Sequence, residues 1–480
     1  MPNGFFGFRP FHKNGTSEND GQDDASHAIE VFASEEAFSN VSKNPLRRYP
    51  SPDKDGERLY PLVSPSVAPS FSIEKGDTVY AIGSCFARNL EGALQKSGME
   101  VLSRQISLGK IGESVGAETN FLNKYTAASI LNDLTWALER DTFPGEDIAY
   151  PISDDVYCDL QLGLVRLPYP LSEIMDMRTR FLDNMVQVAE ANVVIITLGY
   201  VEAWYDTELD LYLNIAPPQR LCRRFPGRFE MRVLGFEDIL GALEGIYALL
   251  KKHQKHPQKY LVTVSPVPLL STFRKIDVLV ANSYSKSVQR AAVETFVADK
   301  ADVNYFPSYE SVTLSNPNIC WARGDYRHVS PDVVARIMSN VLVSYMDDSD
   351  TPGNYLGSQM TREATYATAR LLIKLQEATQ LAELHGQNRA LFRKNEKLLG
   401  QITDTLQKHG HRKAAILALE DLAELAPERP LTTQRLITLL SREPDQDTRT
   451  LELLKVHEER FPTRSKFRRQ ISADLEARRK

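Results

Sequence analysis

The stretch 78-TVYAIGSCFARNL-90 decides how the chain is read. TVYAIG is a short apolar, β-branched run with the character of a strand, and it ends on Gly83. After it, Phe86, Leu90 and Leu94 recur at helical spacing, with Gly98 as the stop. Ser84 and Cys85 therefore stand on a strand-to-helix turn. A side chain there is presented at the edge of a sheet, and the first N–H groups of the helix favour negative charge. Ser84 is thus a candidate nucleophile, and its own backbone N–H, with that of Cys85, a candidate oxyanion donor. The Cys85 side chain is expected to turn into the core.

The same alternation continues outward. MEVLSR (99–104) reads as a second strand, and a loop with three glycines, 109-GKIGESVGAETNFLNKY-125, leads into a helix, TAASILNDLTWALER. ANVVIITLG (191–199) is a continuous apolar run, as expected for a strand buried on both faces. FEDILGALEGIYALLKKHQ (236–254) has helical periodicity, and YLVTVSP (260–266) and DVNYFP (302–307) read as further strands. Alternating strands and helices predict a parallel sheet covered on both faces, with ligands beyond the carboxyl ends of the strands.

Composition and spacing divide the chain into four parts. Residues 1–55 are polar and read as a poorly ordered arm, 56–346 form the α/β domain, 347–359 a linker, and 360–480 an all-α tail. In the tail, Pro427 and Pro462 each separate two helical stretches and lie 35 positions apart. That is close to the ~34-residue tetratricopeptide period, and a plain helical hairpin is the alternative. Such a tail is expected to offer a surface to a protein partner.

The formal charge of -6 argues against a nucleic-acid binder. The basic cluster 219-QRLCRRFPGRFEMR-232 is local and reads as a solvated loop. No run reaches the ~18 apolar residues of a membrane span, and the N-terminus lacks the pattern of a secretory signal. The four cysteines are scattered without a CxxC pair, so the expectation is reduced thiols, a cytoplasmic location and no metal. Glycine fingerprints for nucleotides are missing too, and no cofactor is expected.

A serine hydroxyl needs a base. Of the nine histidines, eight fall in the arm, the tail or a polar loop (253-HQKH-256); His328 alone stands beside core elements, in 324-GDYRHVSPDVVARIM-338. Asp325 precedes it by three residues, close enough to hold Nδ1–H and leave Nε2 towards the serine. Ser330 and Pro331 read as the cap and first residue of the last helix of the domain. A lone D-x-x-H is common and also serves merely to cap a turn.

Gly83–Ser84–Cys85–Phe86–Ala87 spells GSCFA, and the sequence resembles the GSCFA domain family. TLGYVEAW (197–204), VSPVP (264–268), NSYSK (282–286), YFPSYE (305–310) and the Asp325/His328 turn agree with it, from about 55 to 345. Those domains look like members of the SGNH (GDSL-like) hydrolase superfamily. The resemblance implies a flavodoxin-like three-layer α/β/α fold, with Ser84 as nucleophile, His328 as base and Asp325 as its orienter. The superfamily's GxND motif is missing, because Gly199 is followed by Tyr-Val-Glu. Asn120 and Asn123 compete for the asparagine's role, and Gly112 and Gly116 compete with Gly199 for the glycine's; Gly199 and Asn123 are preferred. Glu202, Trp204, Lys286 and Tyr309 are expected to meet the substrate, with Trp204 in the core as the alternative, and Asn282 to cap a helix.

The expected activity is a serine ester hydrolase or O-acyltransferase acting on an acylated small molecule or glycan. The alternative is a non-catalytic module that binds a glycan or a protein, and the missing GxND motif speaks for it.

Overall fold

The computed structural model describes residues 28–60, 62–74, 76–96, 98–106, 123–162, 169–322, 324–345, 355–443 and 445–479. The chain falls into two units, one up to Tyr49 and one from Pro50 onward. In the first, Ser34–Lys43 forms a helix with Glu35 and Glu36 in its first turn and no buried residue. The polar arm thus contains a helix, and its residues 1–27 lie outside the described residues.

The second unit is built on five parallel strands: β1 (Thr78–Gly83), β2 (Glu100–Val101), β5 (Val193–Leu198), β9 (Lys259–Val264) and β10 (Val303–Tyr305). Their spatial order is β10-β9-β5-β1-β2. Counted within this sheet it is 2-1-3-4-5, the flavodoxin-like order, which reverses direction between β1 and β5. β5 is buried along its whole length. Its alternate side chains enter two cores. Val193 and Ile195, with Val79 and Ala81 of β1, meet the helices Cys85–Lys96 and Pro331–Tyr345 through Phe86, Leu90, Ile337 and Val341. Val194 and Ile196, with Tyr80 and Ile82, meet the helices Ala127–Leu138 and Phe236–His253 through Ile130, Leu134, Leu243 and Ile246. The result is three layers, α/β/α.

The second strand is shorter than MEVLSR suggests. After Val101 the chain winds into a 3₁₀ turn, Leu102–Arg104. Ser103 Oγ there accepts the Ala81 N–H of β1 at 3.2 Å and donates to the buried Glu91 at 2.5 Å. A side-chain hydroxyl thus takes the place of a ladder carbonyl, so the strand need not continue. Two small sheets extend the frame: the hairpin of β3 (Ala149–Ser153) and β4 (Val156–Asp159), and an antiparallel sheet ordered β7-β6-β8, from β6 (Glu202–Asp206), β7 (Leu211–Leu213) and β8 (Phe229–Val233). The basic cluster is therefore not a solvated loop. It forms the helix Gln219–Arg224 and β8, and Arg228 clasps the buried Asp206 at 2.8 Å.

Residues 347–354 of the expected linker lie outside the described residues, and from Tyr355 the chain is helical. The helix Tyr355–Leu375 joins the sheet domain: Leu371 enters its core and Arg370 pairs with Asp332 at 2.6 Å. Among the described residues three helical hairpins follow, the first with a short helix, Arg389–Phe392, between its arms. Their first helices begin at 378, 412 and 447, their second at 396, 430 and 465. Arginines bridge successive hairpins, as Arg389 does to the buried Asp421 at 2.7 Å. Among the described residues no helix is long and apolar enough to cross a membrane.

Gly83 is the tightest point of the frame. It sits at φ +135°, and a Cβ on it would lie 2.1 Å from the Thr197 carbonyl oxygen of β5. Gly76 has φ +102° but open space around it. Gly76→Ala is therefore expected to cost about 1–2 kcal/mol of strain, whereas Gly83→Ala should cost at least about 3 kcal/mol or prevent folding. Urea unfolding of the two variants checks the contrast, and equal losses would mean that the β1–β5 approach does not need glycine.

Candidate active site

Beyond the carboxyl ends of β1 and β5 lies a cleft of 430 Å³ whose walls include Ser84, Cys85, Asn123, Gly199, Arg327 and His328. That is the place where an open α/β sheet reverses its strand order. Tyr125 and Tyr200, stacked at 5.3 Å, also line it, as do Ser265 and the segment 267–270.

Ser84 is held by β5. Its N–H donates to Thr197 Oγ1 at 3.1 Å and to the Thr197 carbonyl at 3.4 Å. Its carbonyl accepts from Ala87 N–H at 2.8 Å, and its Oγ accepts from Phe86 N–H at 3.3 Å. Ser84 therefore caps the helix Cys85–Lys96 while its side chain borders the cleft. Because its own N–H is engaged, the donors free to face an anion are the next ones. The N–H groups of Cys85 and Gly199 have no acceptor among the described residues.

Asn123 lies at the same strand ends because its backbone extends the sheet. It bridges Gly83 in parallel, and the Lys124 N–H donates to the Gly83 carbonyl at 2.7 Å. Lys124 is fully buried; it donates to the Gln161 carbonyl at 2.5 Å and pairs with Asp133. Arg178, also buried, joins Asp133 at 3.0 Å and Asp159 at 2.5 Å. Asn120, Gly112 and Gly116 lie outside the described residues.

On the other side, Gly324 (φ 69°) and Tyr326 (φ 52°) close a tight turn. Asp325 Oδ1 accepts the N–H groups of Arg327 and His328, both at 3.0 Å, and Oδ2 meets His328 Nδ1. The His328 N–H, then its ring, then the Arg327 N–H hold the Asp325 carboxyl well below the usual carboxylate range. The pair is part-exposed and shares the cleft with Ser84, but no hydrogen bond joins Ser84 to His328 among the described residues.

Several expectations are corrected here. Cys85 borders the cleft instead of facing the core, and burial pushes its thiol up, against activation. Glu202 is away from the cleft: it accepts from Thr272 Oγ1 at 2.5 Å and Phe273 N–H at 2.9 Å, fastening the loop behind segment 267–270. Trp204 packs edge-on against Phe273 at 5.1 Å, and Tyr309 lies in the short helix Ser308–Thr313; neither borders the cleft. Asn282 does not cap its helix, a task that falls to Asp277; it accepts from the Leu269 N–H at 3.0 Å.

Lys286 cannot meet a substrate, because it is fully buried. It donates to the Gly199 carbonyl at 2.5 Å, where Gln289 also donates at 3.3 Å. Gly199 itself must be glycine, since a Cβ would lie 2.5 Å from the Tyr125 carbonyl oxygen. Lys286 is thus a positioning residue beneath the cleft. Sequence reasoning also missed Thr197, the tyrosine pair and Arg327, although Arg327 stands inside the quoted D-Y-R-H turn.

The fold and this cleft define a parallel α/β protein with a serine, a histidine–carboxylate pair and free N–H groups at its switch point. The sequence profile of the GSCFA family matches residues 78–340, more than half of the chain, and the protein belongs to that family. No curated protein and no solved structure matches the chain.

Burial pushes the Lys286 pKa down from 10.5 to about 7, with Cys85 pulling it the other way. Between those two values the unfolded chain binds the extra proton, so stability should rise with pH across that window. Wild type should gain up to about 1.4 kcal/mol per pH unit relative to Lys286→Met from about pH 7 to about pH 10. Urea unfolding of both proteins across that range measures it, and parallel curves would show a lysine with an ordinary titration.

Proposed function

We propose that the protein is a serine ester hydrolase or O-acyltransferase of SGNH type. The observation that carries this reading is the convergence of Ser84 and the Asp325–His328 pair on one cleft at the strand ends. Ser84 Oγ attacks an acyl carbonyl while His328 Nε2 takes its proton; Asp325 keeps the proton on Nδ1. The oxyanion is received by the N–H groups of Cys85 and Gly199, with the Asn123 amide beside them. His328 then returns the proton to the departing alcohol, and water or an acceptor hydroxyl releases the acyl group from Ser84.

An acylated carbohydrate, such as a surface polysaccharide or its precursor, is the substrate class we favour, by analogy with the superfamily. The tail hairpins recur with a spacing like that of tetratricopeptide repeats, and we assign them to a protein partner. Four free cysteines, far apart in sequence, suit a cytoplasmic setting.

A second reading, a non-catalytic binding module, is favoured by one observation: Ser84 Oγ pairs with Thr197 Oγ1 and the Phe86 N–H, not with His328. A fluorophosphonate probe separates the two. Wild type and Cys85→Ala should be labelled. Ser84→Ala should lose labelling, and His328→Ala and Asp325→Asn should slow it by roughly a hundredfold or more. Folded wild type that takes no label supports the binding module.

A further inference from the structure

The described lining of the cleft carries positive charge and no acid. Among its described lining residues there is no carboxylate. Asp325 lies next to it in sequence, but both its oxygens are taken by His328 and the Arg327 backbone. Arg327 is the arginine of the lining among the described residues, and its Nε is buried without a hydrogen-bond partner among them. Its guanidinium has no ion pair among the described residues, in contrast to Arg88, which pairs with Glu91, to Arg178, which pairs with Asp133 and Asp159, and to Arg228, which pairs with Asp206. Burial raises the Cys85 thiol and the Tyr125 hydroxyl, and at both the Arg327 charge works against that rise, so its field reaches into the cleft. A planar guanidinium with unused donors suits a carboxylate or a phosphate. The lining segment Val267 to Leu270 is apolar.

We propose that Arg327 forms an anion subsite, taking a carboxylate or phosphate carried on the ester substrate while the apolar part lies along Val267–Leu270. This rests on reading the cleft as an acyl-transfer site. Arg327 then selects among esters, and His328, the next residue, acts on the one selected.

The test uses the full chain as wild type, Arg327→Gln and Arg327→Lys. Calorimetry measures binding of glutarate, for the carboxylate source, and of inorganic phosphate, for the other. Kinetics compare 4-nitrophenyl butyrate with the 4-nitrophenyl monoester of glutarate, which adds a terminal carboxylate. The expected result is that wild type binds at least one anion and that Arg327→Gln weakens it roughly tenfold or more, Arg327→Lys less. The ratio of kcat/KM for the anionic to the neutral ester should fall by a similar factor. Binding of neither anion, or equal binding by wild type and Arg327→Gln, overturns the subsite. So does an equal slowing of both esters, which would assign Arg327 to holding His328. Anion binding that depends on Arg327 in a protein that takes no fluorophosphonate label would sustain the subsite and reject the hydrolase.

Discussion

The close approach of β1 and β5 at Gly83 and Thr197 is the constraint on which the rest depends. No side chain fits between these strands, because the Thr197 carbonyl and hydroxyl occupy the space a Cβ would need. The same two Thr197 oxygens receive the Ser84 N–H. One contact therefore sets three things: the register of the central strands, the left-handed bend that ends β1, and the direction in which Ser84 leaves it. The helix Cys85–Lys96 begins at that bend, so its first N–H groups face the cleft by geometry alone.

Two buried polar systems hold the other walls to this point. Lys124, Asp133, Arg178 and Asp159 fix the segment that lays Asn123 beside Gly83. Removing one member of such a buried group strands the others and typically costs about 3–5 kcal/mol. Lys286 works differently, since a carbonyl and not a carboxylate receives it. It fixes the Gly199 peptide without placing a negative charge under the cleft. The supports are thus buried, while the lining above them carries Arg327 and no acid among the described residues.

The sheet was readable because its strands are buried on both faces: VVIITL and YLVTV are unbroken apolar runs, and both became central strands. The edge was not, because β2 ends through a Ser103 hydroxyl that no periodicity reveals. In the site, Ser84, Gly199, Asn123, Asp325 and His328 were chosen from turns and spacing, and all but Asp325 border one cleft, with Asp325 bound to His328. Glu202, Trp204, Lys286 and Tyr309 were placed there because they neighbour the motifs in sequence. Position in a motif does not fix which way a side chain points, and these four serve the frame around the cleft. The sheet β7-β6-β8 escaped notice for a related reason: its strands are short and mix buried with partly buried positions, so neither periodicity dominates.

Capping a helix and attacking a carbonyl are compatible tasks for one hydroxyl. A serine Oγ has two lone pairs and one proton. The Phe86 N–H uses a lone pair and leaves the proton free. Thr197 Oγ1, at 3.4 Å, is a weak partner for that proton. The ionised Asp325 holds the Nδ1 proton of His328, so Nε2 is the acceptor. The cap therefore fixes where the oxygen stands without consuming what a base would take. The turn carrying His328 and Arg327 leaves His328 exposed at the cleft, so in the proposed reaction an ester can reach it from solvent. In that reaction, an anion on Arg327 lies one residue from the imidazole that acts on the ester.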